Sequence, residues 1–585
     1  MVCWRHHHAA YLHSQSRKRR TVANLASSFE FNEAVVLHKS GAIDDAVRIY
    51  RRILDADPAN DEAIRLLGTA YVEQGRLDDA IIHIRKAVRR LPKDAYLHTM
   101  LGELLQATSR FDKALQCFNR ALSLAPNFAE AHAARGTVLA TLNRHEEAIG
   151  SFDRALALRS NFVEVLMNRG NSLRALKRFA EALLSYDAAI QVRPDLSEVH
   201  FSRGFVLEDE CRWADAIESF DRALALAPPT ASWLGQVHCH RAMAHHYLGH
   251  TNLALAGIAQ AIAAASDDDE VIFTASLIEL SHGRWLDAWP KFERRLKLES
   301  SDPAKSVPSA IPLWSGEALT DELLVLKDDL GIGDQIQFCC FAADLANRGV
   351  RVALWTRPRM VALLKTVPHV ERVFARIEDV RHEKARWLPM MSLPRVLGTT
   401  VDSIPQAAPF LFADPERVAK WRETLGTHGF KVGIIWQGNP DFRTDRDRSI
   451  ALQEFAPLAA IPGIRLVSLQ KGTGSEQIAR VPFRSQIETL DENFDAAGTF
   501  LDTAAVMMNL DLVVASDTSV AHLAGALGRP LFVALSLVPD WRWLLDRDDC
   551  PWYSSARLFR QTHNRDWTSV LTRIADAVRH LQRSH

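Results

Sequence analysis

The sequence holds no apolar run approaching the roughly 20 residues needed to span a bilayer. Stretches such as Pro530 to Pro539 are too short and read as buried strands. Cysteine is sparse: 7 in 585 residues, scattered, with no CxxC pair. That scarcity argues against a disulfide scaffold or a structural zinc site and fits a reducing, cytoplasmic setting. An excess of either charge is also missing, because 70 basic residues meet 71 acidic ones for a net charge of -1. A nucleic-acid-binding chain would normally carry a basic surplus. What remains is ordinary globular composition, 47% hydrophobic and 24% charged, in a chain long enough for several domains.

Met1 to Arg20 carries His6, His7 and His8 and the basic run Arg17 to Arg20, without the apolar core of a signal peptide. Residues 1–26 are therefore expected to form a disordered leader.

Internal periodicity dominates the first half. Gly68, Gly102, Gly136, Gly170 and Gly204 recur every 34 residues, each followed by Ala80, Ala114, Ala148, Ala182 and Ala216. A large side chain comes next (Ile84, Phe118, Phe152, Tyr186, Phe220), then a second alanine, and most units close on proline. Small residues let paired helices approach, the large one fills the gap, and proline ends the second helix. The pattern resembles tetratricopeptide (TPR) repeats. With a weaker unit at Ala34/Ala46/Tyr50 and two degenerate units after an insertion near Ala231–Leu234, it predicts an α-solenoid of about eight helix pairs over 27–302. The resemblance implies a groove that holds a protein or peptide partner. Arg135, Arg169, Arg203 and Arg241 share a repeat position. They could read acidic groups, but the favoured expectation is stems lying along a helix with their heads in water.

The register ends in a Ser/Pro-rich linker, 303–318, and the pattern turns to short apolar strands alternating with helices. Strands are expected at Leu323–Leu326, Gly349–Trp355, Val370–Phe374, Val432–Trp436, Arg465–Leu469, Asp511–Ala515 and Pro530–Leu535. Two blocks of this alternation predict an α/β module of two Rossmann-like lobes, 319–427 and 428–580, with ligands at the carboxyl ends of the strands. Gly331 and Gly333 allow a tight turn into a helix near Gln335, with Asp334 at its start. After a later strand, Asp517, Thr518 and Ser519 precede a helix whose first turn holds His522, a placement suited to binding phosphate.

These segments, GIGDQIQF and DLVVASDTSVAHLAGALGRP, together with VGIIWQGNP, RDRSIAL, LVSLQKG and DWRWLLDRDDCPWY, resemble glycosyltransferases of the heptosyltransferase type (family 9, GT-B fold). The resemblance covers about 300 to 580 and implies an inverting, metal-independent transferase. Its donor would be a nucleotide sugar and its acceptor would be recruited by the TPR arm. On that reading Asp334 is the catalytic base. Arg448 faces the leaving diphosphate, with Gly331, Gly333, Lys471, Glu476, Asp517, Thr518, Ser519 and His522 around the donor. No cofactor or metal is expected, and Asp445-Arg446-Asp447 and Asp546-Arg547-Asp548 read as solvated turns. Ser519 stands where the family often carries Gly, and the first lobe is short for the fold. The alternative is a non-catalytic TPR adaptor with a degenerate transferase domain. Domain order alone also resembles the TPR-bearing O-GlcNAc transferases.

Overall fold

The computed structural model describes residues 22–58, 60–298, 311–329, 331–380, 384–405, 409–440, 445–491, 493–563 and 565–584. The expected leader up to residue 21 and the linker residues 303–310 lie outside the described residues. The chain divides into two compact units, Met1–Ser202 and Arg203–His585.

In the first unit, helices pair as Val22–Lys39 with Ile43–Ala56, Asp61–Glu73 with Leu77–Arg90, Ala95–Ala107 with Phe111–Leu124, Ala129–Thr141 with His145–Leu158, and Val163–Ala175 with Phe179–Val192. Each pair turns through one residue of left-handed backbone: Gly41, Gly75, Ser109, Asn143 and Lys177. The small–large pattern has a direct steric cause. A Cβ on Gly102 or Gly136 would sit 2.5 Å from the ring of Phe118 or Phe152, and one on Gly170 would sit 2.7 Å from Tyr186. Those rings are fully buried, so glycine is the socket and the aromatic the plug.

The recurring arginines differ from the expectation of water-solvated heads. Arg135 Nε donates to Ser151 Oγ at 3.1 Å, and Arg169 donates to both Ser185 Oγ and Asp153 Oδ1 at 2.7 Å. Ser151 and Ser185 are buried, and Asp153 belongs to the preceding repeat. The heads therefore staple neighbouring helices. In the second unit, Arg203 reaches Ser219 Oγ at 2.8 Å, and Arg241 reaches Asp221 at 2.8 Å and Gln260 at 3.0 Å.

The second unit continues with Trp213–Leu226, the pair Leu234–Tyr247 and Thr251–Ala264, and the pair Asp269–Ser281 and Trp285–Phe292. Left-handed turns recur at Cys211, Gly249 and Gly283. The last helix has only 8 residues, with Pro290 inside it.

Among the described residues two sheets follow, with every strand pair parallel. Strands β1 (Leu323–Lys327), β2 (Arg351–Trp355), β3 (Val370–Phe374) and β4 (Ala385–Pro389) take the order β3-β2-β1-β4. Strands β5 (Phe430–Ile435), β6 (Ile464–Ser468), β7 (Ile487–Glu488), β8 (Leu512–Ser516), β9 (Leu531–Leu535) and β10 (Ala556–Arg560) take the order β10-β9-β8-β5-β6-β7. Both are doubly wound orders, with the direction reversing between β1 and β4 and between β5 and β8. Leu313 bridges to Trp387, and Trp314 N donates to Trp387 O at 2.9 Å, so this stretch runs beside β4. The helix after β1 begins at Ile332, before the expected Gln335. Strands β4, β7 and β10 were not expected from sequence. ARWLP and ARLFR interleave arginine with apolar residues, and β7 has only 2 residues.

Candidate functional site at two helix starts

In doubly wound sheets, ligands bind outside the carboxyl ends of the strands where strand order reverses. After β1 and β4 that position is lined by Asp328, Asp329, Asp334, Gln335 and Met390 among others. After β5 and β8 it falls between the segment holding Arg448 and the start of helix Ser519–Ala526.

Gly333 brings the two helix starts together. A Cβ there would lie 2.9 Å from Cδ2 of His522 and 3.3 Å from Cα of Ser519. Asp334 Oδ2 accepts the Gly331 N–H at 2.7 Å, which caps the first helix. Asp334 Oδ1 accepts from Arg542 Nη2. Arg542 also donates to Gln337 Oε1 at 2.9 Å and Asp540 Oδ1 at 2.7 Å, and its guanidinium lies 4.4 Å over the ring of Trp541. It is buried. Burial alone would lower its pKa, but the charges of Asp334, Asp540 and Asp517 outweigh that and keep it protonated.

Asp517 lies in the same field. Burial first, then the nearby Asp540 charge, pushes its carboxyl up from 3.8 to about 6, against the pull of Arg448 and Arg542. His522 shifts the other way. Burial and then Arg542 lower it from 6.5 to about 3, which leaves a neutral ring. That ring stacks on Trp543 at 5.2 Å and meets the Tyr553 hydroxyl at 3.0 Å through Nδ1. Thr518 is the N-cap residue, buried, and its Oγ1 has no hydrogen-bond partner among the described residues. The first N–H groups of an α-helix likewise have no partner within the helix. Ser519 starts that helix.

Arg448 ends a helical turn, Asp445–Arg448, and its Nε donates to Asp445 Oδ1 at 3.2 Å. A Cβ on Gly438 would stand 2.9 Å from its Nη2, so the loop after β5 passes directly beside the guanidinium. The expectation of a solvated turn at 445–447 is corrected here, because Asp445 and Asp447 are 6% and 8% exposed. Asp546 and Asp548 are exposed.

Gly333, Asp334, Arg448, Asp517, Thr518, Ser519 and His522 are thus linked through shared contacts and charge, with Gly331 capping the same helix. Lys471 and Glu476 make other contacts. Lys471 Nζ donates to the Phe494 carbonyl, and Glu476 accepts the Gly474 N–H at 2.8 Å. Sequence reasoning missed Arg542 and Asp540. The available signal was an arginine between two tryptophans in DWRW.

Residues 37–104, 99–161 and 167–231 match family models described as tetratricopeptide repeat. Protein FlbA of Caulobacter vibrioides is 27% identical over 370 residues, covering 58% of this chain and 60% of that protein. The chain therefore spans about 60% of the length of this curated relative. Among solved structures, a tetratricopeptide repeat protein from Parabacteroides merdae is 17% identical, covering 43% of this chain and 99% of its own, with a TM-score of 0.35. YrrB, described as a TPR protein with an unusual peptide-binding site, is 21% identical, covering 32% of this chain and 95% of its own, with a TM-score of 0.29. The N-terminal array is made of tetratricopeptide repeats, a module of protein interaction, and it is followed by parallel α/β sheets.

Proposed function

We propose that the α/β part is a glycosyltransferase of the GT-B type. It would use a nucleoside-diphosphate sugar in the cytoplasm and act on an acceptor, protein or glycan, presented by the repeat arm. One observation carries the reading: Asp334, at the switch point of one sheet, touches Arg542 in the charge cluster of Arg448, Asp517 and His522 at the switch point of the other. An inverting transfer needs that pairing of roles. The acceptor oxygen forms a bond to the anomeric carbon. The bond to the diphosphate breaks with its electron pair leaving on the diphosphate, and the hydroxyl proton passes to a carboxylate. Asp334 is the proposed base. Arg448 and Arg542 would supply the positive charge, with Thr518 Oγ1 and the helix start at Ser519 as hydrogen-bond donors to phosphate.

A second reading, a non-catalytic TPR adaptor, draws on the same contact. Both carboxylate oxygens of Asp334 already accept hydrogen bonds, one from Gly331 and one from Arg542, so the group can serve simply to close the site.

The test is donor hydrolysis by the full chain across a panel of nucleotide sugars. Wild type is compared with Asp334→Asn, which keeps the size of the side chain, and with Arg448→Ala. Loss of a general base typically costs about 10²–10⁴-fold in rate. No donor binding or turnover by wild type favours the adaptor, and unchanged hydrolysis in Asp334→Asn removes that residue from the chemistry.

A further inference from the structure

The last repeats reach the candidate site at three separate points, each beside a residue of the charge cluster. At the first, Arg295, just beyond the final repeat helix, places Nη2 2.7 Å from Asp329 Oδ2, in the loop that leads to Asp334. The pair is 2% and 6% exposed, and Asp329 Oδ1 also accepts the Met391 N–H at 3.2 Å. At the second, Trp285 and Trp289 meet the ring of Trp541 edge to face, at 5.9 and 5.6 Å. Trp541 in turn lies under the Arg542 guanidinium that holds Asp334. At the third, Asp447, next to Arg448, is buried beside Cys211 in the repeat turn and Trp213 at the start of the next helix, with Arg565 at 3.5 Å.

None of these contacts is a loose surface touch. Trp285, Trp289 and Trp541 are at most 4% exposed, and further rings interlock with them, since Trp552 stacks on Trp285 at 5.7 Å and packs on Phe338 at 5.6 Å. Phe338 lies in the same helix as Asp334. Packed aromatic clusters of this kind have discrete arrangements rather than a continuous range, so a shift of the repeat helices is passed to what they support.

We infer that the final repeats are a positioning element for the charge cluster: Arg295, Trp285 and Trp289 set where Asp334 and Arg542 stand, and Trp213 with Cys211 sets where Arg448 stands. Occupancy of the repeat groove then has a physical route to the site. The inference rests on the transferase reading only for the identity of the ligand, because the packing argument holds for any anion bound there.

The experiment uses the full chain with Trp289→Leu and Arg295→Met, both in the repeat part, and the conservative variants Trp289→Phe and Arg295→Lys. Hydrogen exchange is followed in Ile332–Phe338, Ser519–Ala526 and Trp541–Trp543, with β5 and β6 as internal references. Inorganic pyrophosphate binding is measured by calorimetry. Expected are faster exchange in the three site segments with β5 and β6 unchanged, and pyrophosphate affinity reduced by roughly three- to thirty-fold. The conservative variants should return toward wild type. Unchanged exchange in the site segments, or equal acceleration throughout Arg203–His585, would overturn the positioning role. If wild type binds no pyrophosphate, the anion-site reading fails and the exchange pattern alone decides the inference.

Discussion

Arg295 and Asp329 form a buried ion pair, 2.7 Å apart, between the foot of the repeat array and the loop that leads into the Asp334 helix. Arg295 also donates to Glu293 Oε1 at 2.7 Å and Ser392 Oγ at 2.9 Å. Removing one partner of such a pair leaves an uncompensated charge in the interior, at a cost of about 3–5 kcal/mol. Arg295→Met should therefore lower the stability of the second unit by that order in urea unfolding. Tryptophan emission is a selective reporter, because of the 14 tryptophans only Trp4 precedes Arg203. An unchanged midpoint would show that the pair contributes nothing net.

Gly333 is a spacing residue. Gly333→Ala drives a methyl against His522 and Ser519, an overpacking expected to cost about 1–3 kcal/mol. Hydrogen exchange at Ile332–Phe338 and Ser519–Ala526 should rise together. An effect confined to one of the two helices would mean that they are not mutually supported.

Two glycines of one repeat should respond in opposite directions. Gly136→Ala meets the buried ring of Phe152, whereas a Cβ on Gly150 has nothing within 4 Å. Gly136→Ala is expected to destabilise by about 1–3 kcal/mol. Gly150→Ala should stabilise by up to about 1 kcal/mol, because the helix interior loses a glycine. Far-UV circular dichroism of the full chain during heating reads both, and a shift of the same sign in the two variants would count against the socket-and-plug account.

Acid stability should report on Asp517 and His522 together. The unfolded chain protonates His522 near 6.5 and the folded chain only near 3, so this residue makes stability fall as pH drops through that window. Asp517 acts in the opposite sense. The folded form holds its proton up to about 6 and the unfolded form only to 3.8, so stability falls as pH rises between them. The two effects oppose each other from pH 3.8 to about 6. Asp517→Asn removes one of them, and the loss of stability on acidification should steepen by up to about 1.4 kcal/mol per pH unit. Urea midpoints by tryptophan emission at several pH values check this, and parallel profiles for variant and wild type would contradict it.

The repeats were legible because their steric rule is local: a glycine and an aromatic 16 positions later must fit each other, as Gly102 and Phe118 do. The left-handed turns were not, since Ser109, Lys177 and Cys211 occupy a backbone state that glycine normally announces. In the α/β part, seven strands were readable from apolar runs, whereas β4, β7 and β10 are mixed or very short. Asp517, Thr518 and His522 could be placed at a strand end from order alone. Arg542 could not, because its value comes from Asp334, which is 208 positions away in the chain. Pairings at that separation leave no periodicity to read.

The buried seating of Cys211 and Trp213 on Asp447 also gives the repeat part a fixed terminus. Change in repeat number there would have to thread new helices between the charge cluster and its supports. Upstream, each 34-residue unit closes its own socket, so duplication or loss adds or subtracts whole modules without remaking a fit. The upstream array is thus built module by module, while its last three units are fixed by the side chains they pack against.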